Sequence, residues 1–186
     1  VLQLQVLKRA GLTKLQDIAA ALEDFKSSGK QVIALGDQFS QAQYYLASTA
    51  NNIWLNPQGF LLLDGYGRYN MYFKSALEKL AINQHIFRVG TFKSAVEPFI
   101  RDDMSAAAKE ANKLWLADLW QQYKEDVAKR RGFGIGNFDE NIDVLVSKFA
   151  NSGSSFANYA LDNNWVDQLK TRQEMRVELI DLVGEN

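Results

Sequence analysis

One lysine stands in the segment of this sequence that is best suited to chemistry. Residues 88–99 read RVGTFKSAVEPF, which places Lys93 between apolar residues and ahead of a proline. Desolvation, or a second positive charge nearby, lowers the pKa of a lysine amine below its usual value of about 10.4. A neutral amine can then take a proton from a serine hydroxyl and later return it to a leaving group. By spacing alone, a solvated loop lysine is the commoner interpretation.

The neighbours of Lys93 are predicted to support it. Ser94 is adjacent, and side chains of adjacent residues diverge, so Ser94 is expected to cap the turn or hydrogen-bond near the lysine rather than act as its nucleophile. Glu97 is expected to orient Lys93 or its loop. Arg88 and Arg101 could add positive charge to the region.

Other polar residues have more ordinary interpretations. Asp102 and Asp103 could bind a metal or do acid–base work, but the preferred prediction is that they cap the start of a long helix, whose positive end favours acidic side chains. Ser40 precedes a helical segment and is predicted to be its N-cap. His85, the single histidine, is predicted to pack in or beside the sheet rather than to belong to a catalytic triad. No metal site and no cofactor is predicted.

Composition and charge limit the class of protein. The chain has 186 residues, of which 47% are hydrophobic and 23% charged, a normal balance for one globular domain. The net charge of −1 and the lack of a basic block argue against nucleic acid as a partner. The sequence contains no cysteine and no apolar run of the ~18 residues that a membrane span needs. Because Val1 to Val6 already reads as a strand, we expect the chain to begin inside a larger protein.

Hydrophobic periodicity predicts an α/β fold with a mostly parallel sheet, flanking helices and a helical carboxy-terminal part. Strands are predicted at residues 1–7, 32–36, 53–55, 60–63 and 85–89, with a turn at 56–59. Helices are predicted at residues 15–25, 40–49, 71–80, 103–131, 142–149, 155–161 and 172–183. One domain is predicted over 1–186, mainly α/β over 1–100 and mainly helical over 101–186. The apolar arc around Trp115 and Trp120 is too broad for one buried face and indicates a second contacting surface.

Three stretches of the chain resemble a known family. They are SQAQYYLAS at residues 40–48, IWL with PQG at residues 53–59, and FRVGTFKSAVEPFIRDDM at residues 87–104. On these stretches the chain resembles signal peptide peptidase A (protease IV), a family of bacterial serine–lysine proteases. The resemblance covers nearly the whole chain and is to the amino-terminal half of the double-length members.

The resemblance implies a crotonase-like (Clp-protease-like) fold and a divided active site. Lys93 would be the general base, while the carboxy-terminal half would supply the serine nucleophile and most of the oxyanion hole. In that half the nucleophile lies in an Ala-Ser-Gly-Gly-Tyr type segment. The matching stretch here is residues 40–44, SQAQY, where Gln41 takes the place of the serine. The resemblance therefore implies that this chain holds the base and lacks the nucleophile.

The same resemblance implies partners and a location. The substrates would be cleaved signal peptides and other hydrophobic peptides. The chain would work with its own carboxy-terminal half in a bowl-shaped homotetramer. The assembly would be anchored in the bacterial inner membrane, on the periplasmic side, by a helix outside this chain.

Three functional hypotheses follow from the sequence. The first is half of a serine–lysine peptidase that is inactive alone, and the second is a non-catalytic scaffold or oligomerisation domain of the same fold. The third is a crotonase-type enzyme acting on acyl-coenzyme A, which the lysine segment does not support. Loss of Lys93 separates the first two, because a scaffold would tolerate it and a general base would not.

Overall fold

The structure, a computed structural model, describes residues 1–87, 89–90 and 94–184. Its elements fall into two compact units. The sheet unit comprises Val1–Asp64 and Gln122–Asn186, and the insertion unit comprises Gly65–Gln121. One domain can contain two compact units, so the single-domain prediction over 1–186 stays a prediction.

A four-stranded sheet forms the centre of the sheet unit. Its strands are β1 (Leu2–Gln3), β2 (Ile33–Ser40), β3 (Asn52–Leu62) and β4 (Gln168–Leu169), which lie in the order β1-β2-β3-β4. Every neighbouring pair is parallel. Parallel neighbours need a crossover, and helices provide it, with α1 (Leu12–Ser27) between β1 and β2 and α2 (Gln41–Ala47) between β2 and β3. The predicted mixed α/β class with a parallel sheet is confirmed.

Six further helices follow β3 among the residues that the structure describes. They are α3 (Lys74–Lys79), α4 (Glu97–Ile100), α5 (Ala106–Arg131), α6 (Ile142–Asn151), α7 (Phe156–Asp162) and α8 (Arg172–Val183). Short 3₁₀ turns occupy Ser94–Val96 and Ile135–Phe138. The sequence predicted each of these helices except α4, and the bounds of α8 agree with the prediction. The 26-residue helix α5 begins three residues later than predicted.

Side chains are buried on both faces of the sheet. Ile33, Leu35 and Trp54 form one cluster with Met175 of α8. Ile53 and Leu55 flank Trp54 along β3 and are fully buried, so alternation along the strand places them on the opposite face. This two-sided burial explains why the central strands are almost continuously apolar.

The predicted turn at residues 56–59 is wrong, because these residues lie within one strand. Gly36 of β2 pairs with Leu55 and Gln38 pairs with Phe60, so four residues of β3 stand opposite the single residue Asp37. The pairing resumes after this bulge and continues to the end of both strands. A Cβ atom on Gly59 would lie 2.1 Å from the backbone oxygen of Asp37, so only glycine fits there.

The predicted strand at residues 85–89 is also wrong for the residues that the structure describes. His85 to Phe87 and Val89 have no regular secondary structure, and the side chain of Phe87 is 97% exposed. A strand needs a neighbouring strand to satisfy its backbone hydrogen bonds. All four described strands belong to the sheet unit, whereas this segment belongs to the insertion unit.

The two-residue strand β4 was not predicted, and Asp167 holds it in place. The Asp167 carboxylate accepts the Ile53 backbone N–H at 2.7 Å and a second hydrogen bond from Arg131 at 2.7 Å. The Arg131 side chain is 8% exposed and the Asp167 side chain 31% exposed, so water reaches the ion pair from the side of the carboxylate. The carboxylate therefore joins the end of α5 to the start of β3 beside β4.

We expect Gly59→Ala to lower the free energy of unfolding by about 1–3 kcal/mol, because the added methyl group meets backbone atoms that cannot move without breaking the bulge. Urea unfolding followed by tryptophan fluorescence measures the change. Gly134→Ala is the matched control, since Gly134 has a φ of −74° and open space around its Cβ position. It should be neutral or stabilise by up to about 1 kcal/mol. Equal stability of the two variants would contradict the bulge as described.

Candidate functional site

The N-terminus of α2 is a capped helix end. Ser40 Oγ accepts the Gln43 backbone N–H at 3.5 Å, and Gln43 Oε1 accepts the Ser40 backbone N–H at 2.8 Å. This reciprocal pair is a capping box, and it satisfies two backbone donors at the helix start. The prediction that Ser40 is an N-cap is confirmed. Its hydroxyl oxygen is engaged with the helix, which is a structural role.

Gln41 is the first residue of α2, directly after the cap. Its backbone oxygen accepts the Tyr123 hydroxyl at 3.0 Å, so the helix start is also held from the side of α5. An amide side chain has no ionisable hydroxyl or thiol for a lysine to activate. The residue at this position therefore cannot serve as the nucleophile of a serine–lysine pair.

The body of α2 is buried, and polar partners meet its tyrosine hydroxyls. Tyr45 donates a short hydrogen bond to the Asp126 carboxylate, which also accepts Gln16 Nε2 at 3.2 Å. The Arg130 guanidinium lies 4.5 Å from the centre of the Tyr45 ring. Burial raises the pKa of Tyr45 to about 12, and the hydrogen bond to Asp126 acts in the same direction. These contacts fix α2 against α1 and α5.

Tyr44 anchors the same helix to a different partner. Its hydroxyl donates to the Trp165 backbone oxygen at 2.8 Å, and its side chain is fully buried. Burial is the main cause that raises the pKa of Tyr44. Two adjacent tyrosines thus reach different partners, which prevents α2 from rotating about its axis.

The predicted general base, Lys93, lies outside the described residues, as does Arg88. Its role and its environment therefore stay predictions. Ser94 is half-buried and opens the 3₁₀ turn Ser94–Val96, which runs directly into α4. Pro98 lies in the first turn of α4, where its missing N–H costs nothing. The chain after Lys93 is thus continuous helical structure up to Ile100.

Glu97 is the buried acid of this region. It is 1% exposed, and its carboxylate accepts the Ser105 backbone N–H at 3.1 Å together with a short hydrogen bond from Ser105 Oγ. Ser105 Oγ in turn accepts the Ala108 N–H at 3.2 Å and so caps α5. One signal in the sequence points to this link: a serine directly before an alanine-rich helix start. The helix predicted at residues 103–131 includes Ser105 instead of beginning after it.

The prediction that Asp102 and Asp103 cap the long helix is wrong, since Ser105 does so. Asp102 Oδ1 accepts the Ser75 backbone N–H at 2.9 Å in the first turn of α3, and this bond lowers the pKa of Asp102. Asp103 pairs with Arg101 at 2.8 Å, which lowers the pKa of Asp103. Arg101, predicted to add charge near Lys93, is thus paired with a carboxylate on the surface.

His85 does not pack against the sheet, contrary to prediction. It is exposed in the irregular segment of the insertion unit. Within residues 1–87, 89–90 and 94–184, no three His, Asp or Glu side chains gather as a metal site. In the same part of the chain, none of the helices combines the length and the apolar character that crossing a membrane requires.

Comparison with known proteins identifies the family. The family model for peptidase family S49 matches residues 24–184. The chain belongs to peptidase family S49. This agrees with the resemblance carried by residues 40–48, 53–59 and 87–104, and it makes the chain part of a protease family.

The curated relatives include two bacterial enzymes and one plant enzyme. Protease 4 of Salmonella typhi is 42% identical over 184 residues, which cover 99% of this chain and 30% of that protein. Protease 4 of Haemophilus influenzae is 42% identical over 185 residues, with the same coverage of 99% and 30%. The chloroplastic serine protease SPPA of Arabidopsis thaliana is 24% identical over 122 residues, or 66% of this chain and 18% of that protein. The chain thus spans about a third of the length of its bacterial relatives.

We expect Ser40→Ala, made in the full-length protein, to lower stability by about 1 kcal/mol without reducing peptidase turnover per folded molecule, because Ser40 is a cap. Ser40→Thr keeps a capping hydroxyl and should recover most of the stability. Thermal unfolding and a peptide-cleavage assay measure the two effects. A loss of turnover by orders of magnitude in folded Ser40→Ala protein would instead assign Ser40 a catalytic role.

The raised pKa of Tyr45 predicts a loss of stability at alkaline pH. An unfolded tyrosine ionises near pH 10, while folding raises the pKa of Tyr45 to about 12, so its contribution is complete below pH 10 and fades as the pH rises towards 12. We expect wild type to lose stability more steeply across this window than Tyr45→Phe. Tyr69→Phe, at a residue 96% exposed, should follow wild type. Parallel curves for wild type and Tyr45→Phe would contradict the burial argument.

Proposed function

We propose that this chain contributes Lys93 as the general base of a serine–lysine dyad in a longer serine peptidase. The observation that carries the proposal is the start of α2, where Ser40 is engaged as a cap and Gln41 occupies the position that the resemblance matches to the serine nucleophile. Membership of peptidase family S49 and the serine-protease name of the Arabidopsis relative support the reaction class. The serine then comes from a segment of the full-length protein outside this chain.

The proposed reaction is acyl transfer through a covalent intermediate. The neutral Lys93 amine removes the hydroxyl proton of the serine, whose oxygen attacks the peptide carbonyl carbon and forms a tetrahedral oxyanion. The lysine returns that proton to the leaving amine, and the acyl-enzyme forms. Lys93 then deprotonates a water molecule, which attacks the ester and releases the second product with the serine restored.

Hydrophobic peptides, including signal peptides left after secretion, are the proposed substrates. The proposal extends to a site of action on the periplasmic side of the bacterial inner membrane, with the anchoring helix outside this chain. Both statements rest on the family resemblance. The net charge of −1 agrees with a partner other than nucleic acid.

The insertion unit supports a proposal about assembly. Among its described residues only Glu97, Ala108 and Asn112 are buried. Large apolar side chains of the unit are exposed instead, among them Tyr69 at 96% and Leu114 at 69%. Exposed apolar area of this extent is typical of a surface that contacts another protein surface. We propose that the carboxy-terminal half and other copies of the protein cover it in a homo-oligomer, a tetramer by resemblance.

The same exposed surface favours a second candidate, a non-catalytic scaffold that shapes a groove and holds an oligomer together. Under this alternative the longer protein would take its base from elsewhere, and Lys93 would be dispensable. The acyl-coenzyme A hypothesis gains no support, since the chain belongs to a peptidase family.

Substitution of Lys93 in the full-length protein separates the two candidates. We expect Lys93→Ala to reduce turnover about a thousandfold or more while folding and assembly stay intact, because the proton acceptor is lost. Lys93→Arg should be equally slow, since a guanidinium keeps the charge but does not release its proton. Lys109→Ala, which removes a 61% exposed lysine of α5, is the control and should cleave peptides at the wild-type rate. Near-normal turnover of assembled Lys93→Ala would make the chain a scaffold.

A further inference from the structure

The helical turn that follows Lys93 in the chain is fixed at several points of the insertion unit. The Pro98 backbone oxygen accepts the Phe73 N–H at 2.7 Å, and the rings of Phe73 and Phe99 stack 6.4 Å apart. Asp102, two residues after this turn, accepts the Ser75 N–H at 2.9 Å. These contacts tie the turn to α3 through backbone groups and one exposed carboxylate.

A buried contact on the other side ties the same turn to α5. Glu97, at 1% exposure, meets both donors of Ser105, and it uses a different carboxylate oxygen for each. The Ser105 hydroxyl donates a hydrogen bond to Glu97, and its oxygen accepts the Ala108 N–H at 3.2 Å. A continuous chain of hydrogen bonds therefore leads from α4 to the first turn of a 26-residue helix.

Burying the Glu97 carboxylate costs free energy of desolvation, which its hydrogen bonds must offset. An unpaired acid in a buried site is strongly unfavourable, and an apolar residue could fill the same volume without that cost. The carboxylate instead gives direction: two hydrogen bonds to one residue fix the orientation of α4 more tightly than apolar contact would. Glu97 lies four residues after Lys93 in the sequence, so this constraint acts on the helical segment that begins at Ser94, directly after the predicted base.

We propose that Glu97 is a positioning residue for the general base: through Ser105, its buried carboxylate holds the helical turn that begins one residue after Lys93. The inference rests on the proposed role of Lys93 and adds a residue through which that role is maintained. Reaction rates are sensitive to small displacements of a catalytic group, so loosening this link is expected to slow chemistry more than substrate binding.

The test uses the full-length protein and steady-state peptide cleavage, normalised to folded and assembled enzyme. Glu97→Gln keeps the size of the side chain but leaves one acceptor oxygen for the two donors of Ser105. We expect kcat to fall about tenfold to a hundredfold while KM changes by less than about twofold. Asp103→Asn is the matched control, an acid-to-amide change at an exposed residue of the same segment, and should leave both constants unchanged.

Variants of Ser105 keep the proposal testable if Glu97→Gln fails to assemble. Ser105→Ala removes the hydroxyl donor and should lower kcat in the same way, whereas Ser105→Thr restores a hydroxyl and should recover kcat. In the double variant Glu97→Gln, Ser105→Ala, the loss should be close to that of the slower single variant, because the two residues act as one unit.

The outcomes distinguish failure of the positioning role of Glu97 from failure of the proposed role of Lys93. Wild-type kcat in folded Glu97→Gln or Ser105→Ala, together with inactive Lys93→Ala, overturns the positioning role and leaves the proposed function intact. A Ser105→Thr variant as slow as Ser105→Ala also overturns it, since hydroxyl rescue fails. Substantial turnover by Lys93→Ala overturns the proposed function, and the positioning role with it.

Discussion

Parallel pairing of β2 with β3 is the constraint on which the sheet unit depends. A parallel pair of this kind has both faces covered, so each crossover must bring a helix onto the sheet and bury it. Helix α2 makes the shortest crossover and is buried over most of its length. It carries Tyr44 and Tyr45 into the interior, where their hydroxyls need partners. Trp165 and Asp126 supply those partners, which draws α5 and the segment before β4 against the same helix.

Polar groups at helix ends form the second level of organisation. The first backbone N–H groups of a helix lack partners within the helix. Short side chains that accept hydrogen bonds from them therefore determine the residue at which each helix begins. Ser40 does this for α2 and Ser105 for α5. The two caps differ in the side chain that hydrogen-bonds to the capping residue. Ser40 is completed by Gln43 of its own helix, a local arrangement, whereas Ser105 is completed by Glu97 of another helix. A cap of the second kind fixes two elements relative to each other.

Structural features that depend on neighbouring residues were predicted from the sequence, whereas features that depend on partners distant in the chain were missed. The bounds of α8 and the cap at Ser40 follow from residues within one or two helical turns. The strand β4 has two residues and depends on Asp167, whose partners Arg131 and Ile53 are far away in the chain. Residues 56–59 have good turn chemistry, yet β2 pairs on both sides of them and turns the predicted break into a bulge. The strand predicted at 85–89 is wrong because no described strand of the insertion unit is available to pair with this segment.

The candidate site shows the same division. Residue type drew attention to Lys93, but spacing alone favoured a solvated loop lysine. Only the family resemblance implied a role for it as a general base, because the serine of such a pair would lie in a distant segment. The importance of Glu97 depends on Ser105, eight residues further along, and becomes visible only when α4 and α5 meet. A glutamate side chain is ordinarily solvated, and the burial of Glu97 is the exception to that expectation. An apolar residue would fill this site with a smaller desolvation cost than Glu97. The proposed role explains the acid, because its two hydrogen bonds to Ser105 orient the helical turn after Lys93.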